Sequence, residues 1–317
     1  MSLLIPCPNQ PMNPMNSSLR RRQFLTACGA AGLAGLATEK SASALQSSSL
    51  KNCPVCVFTK PFNSLSFDQL AKAIAELGFD GIEAPIRKGG HIEPEQAHEK
   101  LHELVEALDK HGLKITLMTT NVNDPDDPMT ERMLRTAATL GIQRYRMQYV
   151  HYDQATPIKQ QLQRWRNQFK ALAAMNHDFG ITGLYQNHAG GKYMGAAIWD
   201  LAEVLDGLPK SDLGMAYDIR HATVEGGTSW PISFRMIRDH IDTIYVKDFQ
   251  WNGSRVTNVP LGQGLVKPQF YKLLADSGFD GPISLHEEYL DHRDPKLVPQ
   301  HLAAMKQDLA TLKSQLK

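Results

Sequence analysis

The chain is short of cysteine, has no excess of either charge, and contains no apolar run long enough to cross a bilayer. Only four cysteines occur in 317 residues, too few for a disulfide framework to hold the fold together. Two of them, Cys7 and Cys28, sit in an N-terminal stretch that reads as removable. The other two form a lone Cys53-Pro-Val-Cys56. A zinc site needs a second ligand pair nearby, and a thioredoxin-type motif sits between a strand and a helix. This pair leads into an apolar strand instead, so redox chemistry is the weakest functional reading. Residues 1–44 hold Arg20, Arg21, Arg22 and Lys40 against Glu39, and the remainder carries 30 basic and 32 acidic residues. A surface so balanced offers no basic face to nucleic acid. What is present, 42% apolar and 21% charged residues, is the composition of a globular protein.

The N-terminus has a pattern of its own. Arg20-Arg-Arg-Gln-Phe-Leu-Thr26 precedes an Ala/Gly-rich run, residues 27–37, and then Ala42-Ser43-Ala44. These are a charged region, a short apolar region and a small-residue cleavage site, with the arginine pair of a twin-arginine signal. The expected organisation is therefore a signal peptide at 1–44, a linker at 45–51 and one domain at 52–317, exported to the periplasm or beyond. The apolar run is too short for a stable membrane span. Leu25-Thr-Ala-Cys28 resembles a lipoprotein box, but its cysteine comes before the apolar run and not after it.

After residue 50 short apolar runs alternate with amphipathic segments. Candidate strands are 55–59, 81–84, 114–120, 143–148, 183–188, 214–218, 243–248 and 283–287. Between them lie helical spacings: Leu101, Leu104, Val105, Leu108; Leu162, Trp165, Phe169, Leu172; Ile198, Leu201, Leu205, Leu208; and Leu302, Met305, Leu309, Leu312, Leu316. Each set is the face that packs on a sheet. Ala75-Glu-Leu-Gly-Phe-Asp-Gly-Ile recurs as Ala275-Asp-Ser-Gly-Phe-Asp-Gly-Pro, a helix-ending glycine and a turn into the next strand. Strict β–α alternation demands a parallel sheet, and eight units close into a single-domain α/β fold, a (β/α)8 barrel. An open doubly wound sheet would want a glycine-rich phosphate loop after its first strand, and Phe58-Thr-Lys-Pro-Phe-Asn63 is not one.

In such a barrel the site lies where strands end, and side chains of one parity face inward. That parity selects Lys60, Glu83, Arg146, Gln148, Gln186, His188, Asp218, Tyr245, Lys247, His286 and Glu288. So many ionisable groups on one face require pairing, hydration or a ligand. Tyr185-Gln-Asn-His188 runs into Gly190-Gly191, and Asp218-Ile-Arg-His221 sets an acid three residues before an imidazole. Lys247-Asp248 is either a structural ion pair or a cation for a developing oxyanion.

These features resemble the xylose isomerase-like barrel superfamily, in particular its sugar phosphate isomerase/epimerase group. The resemblance rests on the helix 67–78 feeding Phe79-Asp-Gly-Ile-Glu83, on Asp218-x-x-His221, on Val246-Lys-Asp248 and on Gly281-Pro-Ile-Ser284. Exported bacterial members are similar in Tyr-Gln-Asn-His, in the Lys-Asp-Phe-x-Trp of Lys247–Trp251 and in Pro260-Leu-Gly-x-Gly264. The resemblance implies a strand-borne Glu, Asp, His and Glu around a metal, and here the matching positions are Gln186, Asp218, Tyr245 and His286. One divalent ion (Mn²⁺, Mg²⁺ or Zn²⁺) would fall to Asp218, Gln186 and His286, bound more weakly than by a carboxylate-rich set. The loss of those ligands also speaks against the endonuclease branch, which needs several zinc ions.

The expected function is a sugar or keto-sugar isomerase or epimerase that removes a proton alpha to a carbonyl. His286 or Glu288 is the expected base, His188 or His221 the acid, and Lys247 the cation for the enediolate. Lys60, Glu83, Arg146, Gln148, Asn187, His221 and Trp251 are expected to touch substrate. A 3-keto-sugar lyase or hydratase and a non-catalytic carbohydrate-binding barrel remain the alternatives. The expected partner is a small sugar, without nucleic acid, and a homo-oligomer is compatible with this reading.

Overall fold

The computed structural model describes residues 49–317, and the expected signal peptide lies outside them. Ten strands occur among these residues: β1 (Val55–Phe58), β2 (Gly81–Pro85), β3 (Lys114–Thr119), β4 (Arg144–Arg146), β5 (Thr182–Gln186), β6 (Leu213–Asp218), β7 (Ile241–Val246), β8 (Asp248–Asn252), β9 (Arg255–Val259) and β10 (Ile283–Leu285). Eight of them form a closed parallel barrel in which β10 pairs with both β7 and β1. The helices are α1 (Phe67–Leu77), α2 (Ala97–Asp109), α3 (Pro128–Thr139), α4 (Ile158–Phe179), α5 (Trp199–Leu205), α6 (Ile219–Gly226), α7 (Trp230–Ile237), α8 (Gln269–Asp276) and α9 (Val298–Gln315). All eight expected barrel strands are found within a few residues of their expected ends.

The recurring Gly-Phe-Asp-Gly segment shows why these residues build this fold. Gly78 and Gly278 end α1 and α8 with φ of +82° and +68°, a conformation that an L side chain resists. Phe79 and Phe279 are then buried. The second glycine meets a neighbouring strand: a Cβ on Gly81 would lie 2.6 Å from the Lys114 carbonyl oxygen, and one on Gly281 2.0 Å from that of Asp242. Each copy therefore ends a helix, anchors the turn and lets the next strand close against its neighbour.

The apolar helix faces named above pack on the outside of the barrel, where Leu101, Leu104, Leu172, Leu201, Met305 and Leu312 are buried. Inside, Cys56, Leu117, Leu184, Ala216 and Tyr245 make a separate plug. One step further along each strand, toward its C-terminal end, the same parity places polar groups, and these form the candidate site.

The main departure from expectation lies after β7. The seventh strand, expected to run to residue 248, ends at Val246, and the chain turns from Asp248 into the antiparallel hairpin β8–β9. Lys247 faces the barrel while Asp248 faces the opposite way. The Asp248 carboxylate accepts backbone N–H bonds from Phe249, Gly262, Gly264 and Val266, at 2.8 to 3.0 Å. The two adjacent residues are thus not an ion pair.

Candidate active site

A continuous chain of polar contacts runs around the mouth of the barrel. Tyr149 donates to Gln186 Oε1 at 2.5 Å, and Gln186 Nε2 donates to Asp218 Oδ2 at 2.9 Å. Lys247 Nζ lies 3.2 Å from Asp218 Oδ2 and donates to Glu288 Oε2 at 2.9 Å. Glu288 Oε1 is 4.0 Å from His286 Nδ1, and His286 Nε2 is 2.8 Å from Glu83 Oε2. Ser284 and Thr119 hydroxyls complete the Glu83 carboxylate. The ends of β2, β3, β5, β6, β7 and β10 thus carry one network, and its members from Gln186 to Glu83, apart from Glu288, are buried.

Charge follows from this geometry. Burial opposes the Lys247 ammonium, but the Asp218 and Glu288 carboxylates outweigh burial and raise its pKa above the ordinary lysine value. Burial likewise opposes the Glu288 carboxylate, and Lys247 with His286 holds its pKa well below the usual range. Glu83 is fully buried and still lowered, because His286, Ser284 and Thr119 favour the anion. Such an anion is a hydrogen-bond acceptor and orients His286 through Nε2. In the neutral imidazole Nε2–H donates to Glu83, which leaves a lone pair on Nδ1. That nitrogen is buried and has no hydrogen-bond partner among the described residues. The Tyr245 and Phe58 rings lie against the imidazole at centroid distances of 4.4 and 4.8 Å.

Two further histidines stand across the mouth. Ala189 N–H donates to His221 Nδ1 at 3.1 Å, so the proton of the neutral ring is on Nε2, 3.6 Å from Asp218 Oδ2. Burial and then the Lys247 charge lower the His221 pKa well below its ordinary value. His188 stacks on it at 4.0 Å and donates Nδ1–H to the Ala189 carbonyl at 2.9 Å. Burial, then Lys247, bring His188 down to about 4. Both shifts favour the neutral rings, with the proton on Nε2 of His221 and on Nδ1 of His188.

Other expected contacts sort differently. Asn187 is buried, donates to the Asp218 carbonyl and accepts from its N–H, which shapes the strand end. Gln148 accepts from Asn121 at the rim. Trp251 rides on the hairpin, 48% exposed, with its ring edge-on to Phe249, and stands outside the network. Arg146 is buried, donates to the Met147 carbonyl and lies over the Tyr149 ring. Lys60 lines a cavity of about 640 Å³ at the barrel mouth, together with Arg87, Asn121 and His292.

Sequence reasoning missed Tyr149, Thr119, Ser284 and Arg87. Thr119 and Ser284 have the inward parity of their strands, so alternation alone was enough to find them. Tyr149 lies beyond β4, where no period applies. Cys53 and Cys56 are free, buried thiols with pKa pushed up to about 11 and about 12, chiefly by burial, which suppresses thiolate reactivity.

The chain belongs to the xylose isomerase-like TIM barrel family, whose model matches residues 71–315. No curated protein sequence matches it. Among solved structures it is similar to the IolI protein with a bound zinc atom (TM-score 0.68, 16% identity, 83% of this chain and 99% of that one). It is also similar to 3-keto-D-glucoside 4-epimerase YcjR from E. coli (TM-score 0.63, 15% identity, 83% and 99%). A third is the probable 3-DHS dehydratase AsbF of Bacillus anthracis (TM-score 0.62, 15% identity, 81% and 98%). A sugar epimerase and a probable dehydratase thus share this fold.

The metal expected on Asp218, Gln186 and His286 does not suit the donors present. Asp218 already faces the Lys247 ammonium, which occupies the electrostatic role of a cation and repels a second one. Gln186 turns its amide N–H, not its oxygen, toward Asp218 and gives the oxygen to Tyr149. His286 directs Nε2 at Glu83. Among the described residues no group of three His, Cys, Asp or Glu is placed to hold an ion.

Proposed function

We propose that this chain is an enzyme that enolises a small sugar or keto-sugar, with His286 as the base and Lys247 as the fixed cation. The single observation that carries the proposal is the Glu83–His286 pair, whose unpartnered Nδ1 lies in the same network as a buried ammonium. The carboxylate orients the imidazole and stabilises its protonated form. Nδ1 then takes a proton from the carbon next to the carbonyl. The C–H electron pair becomes the C=C bond, and the carbonyl π pair moves to oxygen, where the Lys247 charge stabilises it. Return of the Nδ1 proton to the former carbonyl carbon, while the hydroxyl proton of the neighbouring carbon passes to the former carbonyl oxygen, gives the isomer; the epimer needs a second proton donor, a water molecule, on the opposite face. Expulsion of a β-substituent from the same enolate is the lyase outcome. Glu288, ion-paired and strongly acidic, holds Lys247 in place and is not itself the base.

The experiment is solvent-deuterium incorporation into ketoses and 3-keto-sugars, read by mass and NMR. The expected result is exchange that falls about 10²–10⁴-fold in His286→Ala and less steeply in Glu83→Gln, with no requirement for added divalent ion. Exchange unaffected by His286→Ala overturns the assignment. Bound sugar without any exchange favours a carbohydrate-binding barrel instead.

A further inference from the structure

The cavity at the barrel mouth is lined by Lys60, Arg87, Lys88, His292 and Arg293, and by no aspartate or glutamate. Arg293 is exposed and paired with Asp291. Lys60 and Arg87 are different: both are half-buried, and neither makes an ion pair or a side-chain hydrogen bond among the described residues. Arg87 has only the Phe58 ring beneath its guanidinium, at 5.7 Å. Burial disfavours both cations, and they also repel each other: the Lys60 charge is opposed by Arg87 and Lys247, that of Arg87 by Arg146. The acid with the largest charge effect is Glu288 for Lys60 and Glu83 for Arg87, and both carboxylates are already bonded, to Lys247 and to His286. Arg146, buried behind them, has no carboxylate partner either. Partly desolvated like charges whose nearest acids are already bonded to other groups are costly unless a ligand supplies a further counter-charge.

From this we infer that the substrate is a sugar acid whose carboxylate is bound by Lys60 and Arg87 while its carbonyl end reaches His286 and Lys247. The inference rests on the enolising role proposed above and specifies its substrate class. Phe58 connects the two ends: its ring centroid lies 5.7 Å from the Arg87 guanidinium and 4.8 Å from the His286 imidazole. A carboxylate fits better than a phosphate because the backbone amides of residues 88–91 in the cavity loop are committed. Lys88 N–H donates to Asn121, Gly89 N–H to Glu93, Gly90 N–H to the Arg87 carbonyl, and His91 N–H to the Pro85 carbonyl. A phosphate site usually recruits free amides of this kind, whereas a guanidinium fork with an ammonium matches a planar carboxylate.

The test is calorimetric binding of D-glucuronate, D-glucose 6-phosphate and D-glucose to the whole protein, to His286→Ala and to Lys60→Met, Arg87→Met and Lys60→Arg. The expected result is that D-glucuronate binds at least tenfold more tightly than D-glucose, in His286→Ala as in the parent. The preference falls at least fivefold in each Met variant and survives in Lys60→Arg. Equal affinity for D-glucuronate and D-glucose overturns the inference, and so does a preference for the phosphate ester. Binding to His286→Ala needs no turnover, so a preference for the acid without deuterium exchange in any variant leaves this subsite standing while the enolising role fails. Exchange on neutral sugars without that preference does the reverse.

Discussion

At the scale of single residues, the same kind of carboxylate behaves in opposite ways according to what it meets. Glu83 and Glu288 are held ionised by an imidazole and an ammonium. Asp308, on α9, accepts from Leu261 N–H and the Tyr289 hydroxyl, but it is buried near Glu287 and Asp248 and its pKa is raised to about 6, chiefly by burial. Between its ordinary value of 3.8 and about 6 the folded protein holds a proton that the unfolded chain has lost. The stability owed to this group is therefore present at low pH and is lost as pH rises through about 6. Asp308→Asn, which keeps an oxygen for Leu261, is expected to gain stability over the parent, on the order of 2 kcal/mol at pH 7.5 and little at pH 4. Urea denaturation of both proteins at the two pH values checks the sign. An equal difference at both values removes the explanation.

At the scale of elements, glycine positions and one aspartate decide how strand ends meet. Gly281 enters β10 where a Cβ would collide with the Asp242 backbone oxygen at 2.0 Å. That atom belongs to β7, a barrel strand that cannot give way. Gly281→Ala is expected to cost at least 2 kcal/mol, roughly, by forcing β10 off β7. Thermal melts report the loss, and near-parental stability contradicts the register. The hairpin β8–β9 shows the limit of reading strands from sequence. The apolar run ending at Val246 leads directly into Lys247-Asp248, so the pattern carries the seventh strand on to residue 248. The four N–H groups gathered by Asp248 come from residues up to eighteen positions away, and no local period announces them.

At the scale of the whole molecule, one chemical consequence follows from barrel closure and another from the N-terminus. Closure makes Glu83 on β2 a neighbour of Ser284 and His286 across β1, more than two hundred residues apart in sequence. We also propose that the chain is exported by the twin-arginine route. Changing Arg20, Arg21 and Arg22 to lysine keeps the charge and is expected to hold the protein in the cytoplasm of a twin-arginine-competent bacterial host. Fractionation of that host and of a transport-deficient strain measures it. Unchanged export of the lysine variant contradicts the route.

Alternation of apolar runs, helix-ending glycines and inward parity were enough to read the barrel and most of the polar strand ends directly from the sequence, because each depends on residues only a few positions apart. Which groups bond was decided by closure. Lys247 pairs with Asp218 and Glu288 and not with its neighbour Asp248, His286 leans on Glu83, and Gln186 turns its oxygen to Tyr149. Those contacts join strands through the inside of the barrel, and the strength of an electrostatic or hydrogen-bonded contact depends on distance in space and on burial, neither of which spacing along a chain encodes.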